Sequence, residues 1–255
     1  VVVAVTVVCA AWLGFASADP PPATAARSNS LTETAEEYSY RLSGTPKTGW
    51  ARVTAVASGD LASAIPAIGT GLAPGLPFLL GPGGVATSIT VLDAGRYALL
   101  SFLKTPDGTS DAANGMVRIL AVDARRSDLS PPTKHVVDVT TSDSAITLPD
   151  GTLPARGWAR ITTTASRPRD FELFRYSTPD ATFESASAYF KEFFSSGSAP
   201  PGAAPAVIVG NISSIRSGAV VYYRLSLERA DYVVVNDTAT DHDGSAQLHQ
   251  DVTVE

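Results

Sequence analysis

"GWARVTAVAS" occupies residues 49–58, and "GWARITTTAS" occupies residues 157–166. Seven of the ten positions are identical, and at another the β-branched Val53 becomes the β-branched Ile161. Both stretches carry the period-two pattern of a β-strand rather than the wider spacing of a helix. Two such copies, 108 residues apart, predict a duplicated unit. On this reading Trp50 and Trp158 are equivalent core residues at the starts of equivalent strands. Arg52 and Arg160 follow two residues on, on the same face as the indoles, each with its stem along the sheet and its guanidinium at the rim.

The match extends in both directions. Upstream, "YSYRLSGTPKTGW" (38–50) parallels "SAITLPDGTLPARGW" (144–158): a strand-like run, a Gly/Pro turn, then Gly-Trp. Downstream, "LDAGRYALLSF" (92–102) parallels "LERADYVVVND" (227–237), pairing Tyr97 with Tyr232. The offset has grown from 108 to 135 residues, so the second copy holds about 27 more between its anchors. They fall in "TPDATFESASAYFKEFFSSGSAPPGAAP" (178–205), which has no counterpart in the first copy. Short alternating strands punctuated by Gly, Pro, Asp and Asn turns predict an all-β protein of two tandem Greek-key β-sandwich domains. The expected organisation is a signal peptide at 1–18, a Pro-rich linker at 19–30, domain one at 31–127, a linker at 128–132 holding Pro131-Pro132, and domain two at 133–255.

Inside the insertion, Phe183, Ala186, Phe190, Phe193 and Phe194 fall on one helical stripe. Thr178-Pro179 offers a cap followed by proline, and Ser195-Ser196-Gly197 a stop. The helix is expected to lie on its own sandwich and seal one end of the core. The alternative is a lid over a ligand pocket.

Of the 255 residues 44% are hydrophobic and 17% charged, enough for a sizeable core. The net charge of −6 and the lack of any basic run argue against a nucleic-acid surface. The first eighteen residues carry no charge and end in Ala16-Ser17-Ala18, a small-x-small cleavage pattern before Asp19. This reads as a secretory signal peptide, with an uncleaved anchor as the alternative. Cleavage leaves no membrane span. It also removes Cys9, the single cysteine, and with it any thiolate ligand, disulfide or cysteine nucleophile. The expected location is secreted or cell-envelope.

"GRYALLSFLKTPDGTSDAANGMVRILAV" (95–122) resembles the final hairpin and metal loop of bacterial cupredoxin-like domains, through Gly95, Tyr97, Phe102, Pro106-Asp107-Gly108 and Gly115-Met116. In the second copy "LPARGWARITTTASRPRDFELFRY" (153–176) resembles the strand–loop–strand segment that carries the upstream histidine of that family. The resemblance implies a plastocyanin- or azurin-type sandwich in each half. A blue-copper centre needs two imidazoles, a thiolate and a weak axial Met. Here the cysteine positions hold Ser101 and Asn236, the upstream histidine regions read "ASGD" (57–60) and Arg167-Pro168-Arg169, and only Met116 survives. Neither domain is expected to carry electrons through copper, and no cofactor is expected.

Three histidines remain: His135, His242 and His249. His242 and His249, with Asp241 and Asp243, are candidate metal ligands, because imidazole and carboxylate suit Zn²⁺ or Cu²⁺. Their spacing matches no recurrent site, and "DHDG" is equally an ordinary turn. Hydrolase elbows, zincin helices, phosphate loops and dinucleotide fingerprints are absent. Glu172 and Glu184 form no pair whose distance the sequence fixes. The chain is therefore expected to be a non-enzymatic binding or interaction module with an unidentified protein or surface partner. The alternative is a metal-binding or redox protein using the His/Asp loop.

Overall fold

The decapeptides form two long strands in the computed structural model, which describes residues 2–5, 8–9, 29–36, 39–57, 79–80, 85–100, 109, 113–115, 117–196, 199–237 and 248–254. Up to Arg126 the strands are β1 (Val2–Val5), β2 (Val8–Cys9), β3 (Ser30–Glu36), β4 (Ser39–Ser43), β5 (Lys47–Ala57), β6 (Leu79–Leu80), β7 (Val85–Leu92), β8 (Gly95–Leu100) and β9 (Val117–Arg126). Beyond it come β10 (Val136–Thr141), β11 (Ile146–Thr147), β12 (Thr152–Leu153), β13 (Arg156–Thr163), β14 (Arg169–Tyr176), α1 (Phe183–Ser196), β15 (Ala206–Ile215), β16 (Val220–Ser226), β17 (Asp231–Asp237) and β18 (Leu248–Val254). One sheet runs β1-β8-β9-β5-β7-β16-β13-β10-β11, with β3 beside β5 and β4 beside β3; a second runs β12-β18-β17-β14-β15. The protein is an all-β sandwich.

The two decapeptides occupy corresponding places. β5 lies between a parallel neighbour, β3, and an antiparallel one, β7. β13 lies between the parallel β10 and the antiparallel β16. β3 and β10 each take a second, antiparallel partner, β4 and β11. β8 pairs with β9 as β17 pairs with β18. Tyr97 and Tyr232 open these hairpins, and each hydroxyl donates to the carbonyl four residues upstream, Asp93 at 2.8 Å and Glu228 at 2.9 Å. Both glycines before the tryptophans have positive φ, +97° at Gly49 and +141° at Gly157, where an L side chain is strained. At Gly157 an added Cβ would also stand 2.5 Å from the His135 carbonyl oxygen, which accepts the Trp158 N–H.

The halves join edge to edge, β7 against β16, with Ile89 opposite Tyr222 and Ser88 opposite Tyr223. Ile89 is also the partner of Arg52, and Tyr222 is the partner of Arg160. Corresponding residues thus face each other across the junction, so the halves meet about a local two-fold axis, as in an isologous interface.

The tryptophans are not core. Alternation turns Ala51 and Val53 inward, and likewise Ala159 and Ile161, all fully buried. Trp50 and Trp158 therefore stand half-buried on the opposite, outer face. The core between the sheets is built from Leu92, Phe171, Leu173, Ile212, Tyr223 and their neighbours, with the Phe171 and Tyr223 rings 6.2 Å apart.

Helix α1 covers the outer face of the second sheet rather than sealing an end of the core. Ala186, Tyr189 and Phe190 meet Phe174, Val233, Val235, Ala204 and Ala206 in a separate cluster. Phe174 and Phe190 are 5.1 Å apart. This explains why β14 and β17 are buried on both faces. The cap is Thr182, not Thr178: Thr182 Oγ1 accepts the Ser185 N–H, and Ser185 Oγ accepts the Thr182 N–H, the reciprocal bonds of a capping box. Among the described residues no helix is long and apolar enough to cross a membrane.

Candidate functional site

At the ends of β14 and β17, where the resemblance places a copper ion, the donors are of the wrong kind. Asn236 points into the core, fully buried, and its amide donates to the Asp170 carbonyl at 3.1 Å. Arg169, on the same face of β14 as Phe171, the residue opposite Asn236, is also buried. Its Nη2 donates to Asp143 at 3.1 Å. Its Nε and Nη1 have no hydrogen-bond partner. A buried guanidinium repels a metal cation, and a carboxamide is no substitute for a thiolate. The residues present do not fit blue copper. Ser101 and Met116 lie outside the described residues.

Of the candidate metal ligands, Asp241, His242 and Asp243 also lie outside the described residues. His249 is on β18, where its imidazole stacks on Phe183 at the start of α1, with centroids 3.8 Å apart and planes 12° apart. Among the described residues no group of three or more His, Cys, Asp or Glu side chains is arranged to hold a metal ion.

Glu172 does have carboxylate neighbours, but Glu184 is not one of them. Asp170 and Asp237 are directly opposite on β14 and β17, and Glu172 follows Asp170 by two on the same face. Burial pushes the Asp170 carboxyl up to about 7; the Ser214 N–H draws it down, and Asp237 adds to the rise. Glu172 is raised well above its ordinary value by burial, then by Asp170 and Asp237. These acids sit beside the face that α1 covers. Glu184, at the exposed N-terminus of α1, is instead held low by backbone and Thr182 hydrogen bonds.

The outer face of the large sheet has a different character. One row across it reads Arg52, Ile89, Tyr222, Arg160, Asp138 on five adjacent strands. Trp50 flanks the row at one corner, and its ring meets Tyr222 edge-on at 5.8 Å. Trp158 flanks it at the opposite corner, across from Arg224, with Arg156 two residues before it. Arg160 is paired with Asp138 at 2.6 Å. Asp138 is the only carboxylate that the registers of β5, β7, β16, β13 and β10 place on this face. Arg52, Arg156 and Arg224 are exposed and make no ion pair among the described residues. Arg156, Gly157, Trp158, Arg224, Leu225 and Ser226 line an open depression of about 420 Å³.

No known protein family matches the chain, and no curated protein does. Solved structures similar to it are cupredoxin-like. Reduced auracyanin from the photosynthetic bacterium Roseiflexus castenholzii aligns at 12% identity and a TM-score of 0.32, over 49% of this chain and 99% of its own. The copper-containing nitrite reductase of Thermus scotoductus aligns at 9% identity and a TM-score of 0.25, over 89% of this chain and 61% of its own. A multicopper oxidase aligns at 11% identity and a TM-score of 0.27, over 89% of this chain and 88% of its own.

Sequence reasoning noticed Arg52 and Arg160 but missed Arg156 and Arg224, and it assigned both tryptophans to the wrong face. The signal was present in the decapeptides. Between Trp and Arg stands alanine, followed by a β-branched residue, and that small–branched set suits the packed side of a strand between two others.

Proposed function

We propose that the chain is an exported, non-enzymatic binding module of two cupredoxin-like halves, whose ligand face is the outer surface of the large sheet. One observation carries this reading: the duplicated Gly-Trp-x-Arg presents the same Trp/Arg pair twice on one open face. A packing motif alone would have turned its indoles inward. Export is supported by the apolar leader with its Ala-Ser-Ala step, cut after Ala18, and the halves are taken as domains 31–127 and 133–255 joined at 128–132. Cleavage removes β1, and with it the parallel partner of β8. The buried guanidinium and amide at the copper position support a role without electron transfer. The test is sedimentation of the purified chain with cell-envelope material of the producing organism. Wild type should sediment, and Trp50→Ala/Trp158→Ala should remain in solution while still melting cooperatively, at a midpoint lowered by the loss of two half-buried indoles. Equal sedimentation of the double variant would contradict the reading.

A further inference from the structure

We infer that the ligand is a linear carboxylated polysaccharide, laid diagonally across the junction of the two halves; this rests on the binding reading above. Three features of the face converge on it. This part of the face is cationic within an acidic chain: across β5, β7, β16, β13 and β10 the described registers set four arginines against one carboxylate, on a protein of net charge −6. An anion is therefore selected locally, by guanidinium forks that match carboxylate geometry. The arginines are interleaved with indole and phenol faces. An indole gains most from a flat, amphipathic partner, and a sugar ring offers its C–H face to the indole while its substituents reach the neighbouring guanidinium. In the depression this pairing is complete. Trp158 is the platform, Arg156 and Arg224 flank it, and Ser226 is part of its wall.

The third feature is repetition. β5 and β13 run antiparallel, three strand spacings apart, and Trp50 and Trp158 lie two residues to opposite sides of the common row. Strand geometry puts the two indoles about 20 Å apart along a diagonal. Two equivalent pairs on one rigid surface suit a repeating ligand, because the second contact forms at high effective concentration once the first is made. Stacking and carboxylate pairing do not read chain direction, so sites related by a two-fold axis can hold the same polymer.

Other polyanions fit less well. An acidic peptide supplies carboxylates without rigid rings to stack. Nucleic acid supplies rings, but its affinity comes chiefly from phosphate neutralisation, which four arginines on a net-acidic protein provide sparsely.

The experiment is affinity electrophoresis and calorimetry of the full chain with polygalacturonate. Parallel arms use its methyl ester, polyglutamate and single-stranded DNA. Polygalacturonate should bind, and its methyl ester and polyglutamate should each bind at least about tenfold more weakly. Arg156→Ala/Arg224→Ala should weaken polygalacturonate binding by about tenfold or more, with the melting temperature unchanged because both side chains are exposed. Equal binding of polyglutamate would reduce the face to a charge patch and overturn the proposal, as would tighter binding of DNA. No binding of polygalacturonate, with envelope sedimentation still lost in Trp50→Ala/Trp158→Ala, would overturn the ligand class and leave the binding face standing. Envelope binding that survives the tryptophan changes would overturn the binding reading itself.

Discussion

Replacing Asp170 by asparagine should stabilise the protein at neutral pH. In the unfolded chain this carboxyl titrates near 3.8, whereas in the fold burial and Asp237 hold its value near 7. Between those values the unfolded state has released the proton and the native state still binds it, so stability falls as pH rises from about 4 to about 7 and then levels. The difference corresponds to about 4 kcal/mol in all. Asparagine retains an oxygen to accept the Ser214 N–H, yet it carries no charge to bury beside Asp237 and Glu172. Urea unfolding of both proteins should be followed at several values between pH 4.5 and pH 8. Near pH 7.5 the variant should be the more stable, by about 1–4 kcal/mol. Wild type should gain more stability than the variant on acidification. Equal pH slopes, or a variant less stable at pH 7.5, would refute the burial argument.

Two further outcomes rest on packing and one on the ligand chemistry. Phe190→Ala should lower the melting temperature clearly, because the ring is buried against Phe174 and such truncations cost about 3–5 kcal/mol; an unchanged melt would revive the lid reading of α1. Gly157→Ala should destabilise by more than about 2 kcal/mol, since its Cβ would meet the His135 carbonyl from a positive-φ backbone, and a neutral result in chemical denaturation would contradict that geometry. Cu²⁺ added to protein lacking residues 1–18 should give no intense blue absorption, because Cys9 is the only cysteine; the band's appearance would contradict the ligand argument.

Much of the fold was legible because it is written in local alternation. The decapeptides marked β5 and β13, and the paired tyrosines marked β8 and β17. The apolar stripe marked α1, although the cap is Thr182, four residues beyond the Thr178-Pro179 that the sequence suggested. The facing of β5 and β13 was not legible from hydrophobicity alone. Alternation defines two sides of a strand without saying which is buried, and the larger side chains suggested the wrong one. The joining of β7 to β16 was equally hidden, because strand pairing between halves leaves no periodic trace. The acidic cluster was missed because Asp170 and Asp237 are 67 positions apart and become neighbours only through the β14–β17 register.

On the binding reading, Trp50 and Trp158 face outward to hold a ligand. Fluorine NMR of 5-fluorotryptophan-labelled protein, titrated with solubilised envelope polymer, tests it directly, with each resonance assigned by single Trp→Phe replacement. Both the Trp50 and the Trp158 signals should shift together and saturate at the same polymer concentration. Polymer binding that saturates by calorimetry while both signals stay in place would contradict the account.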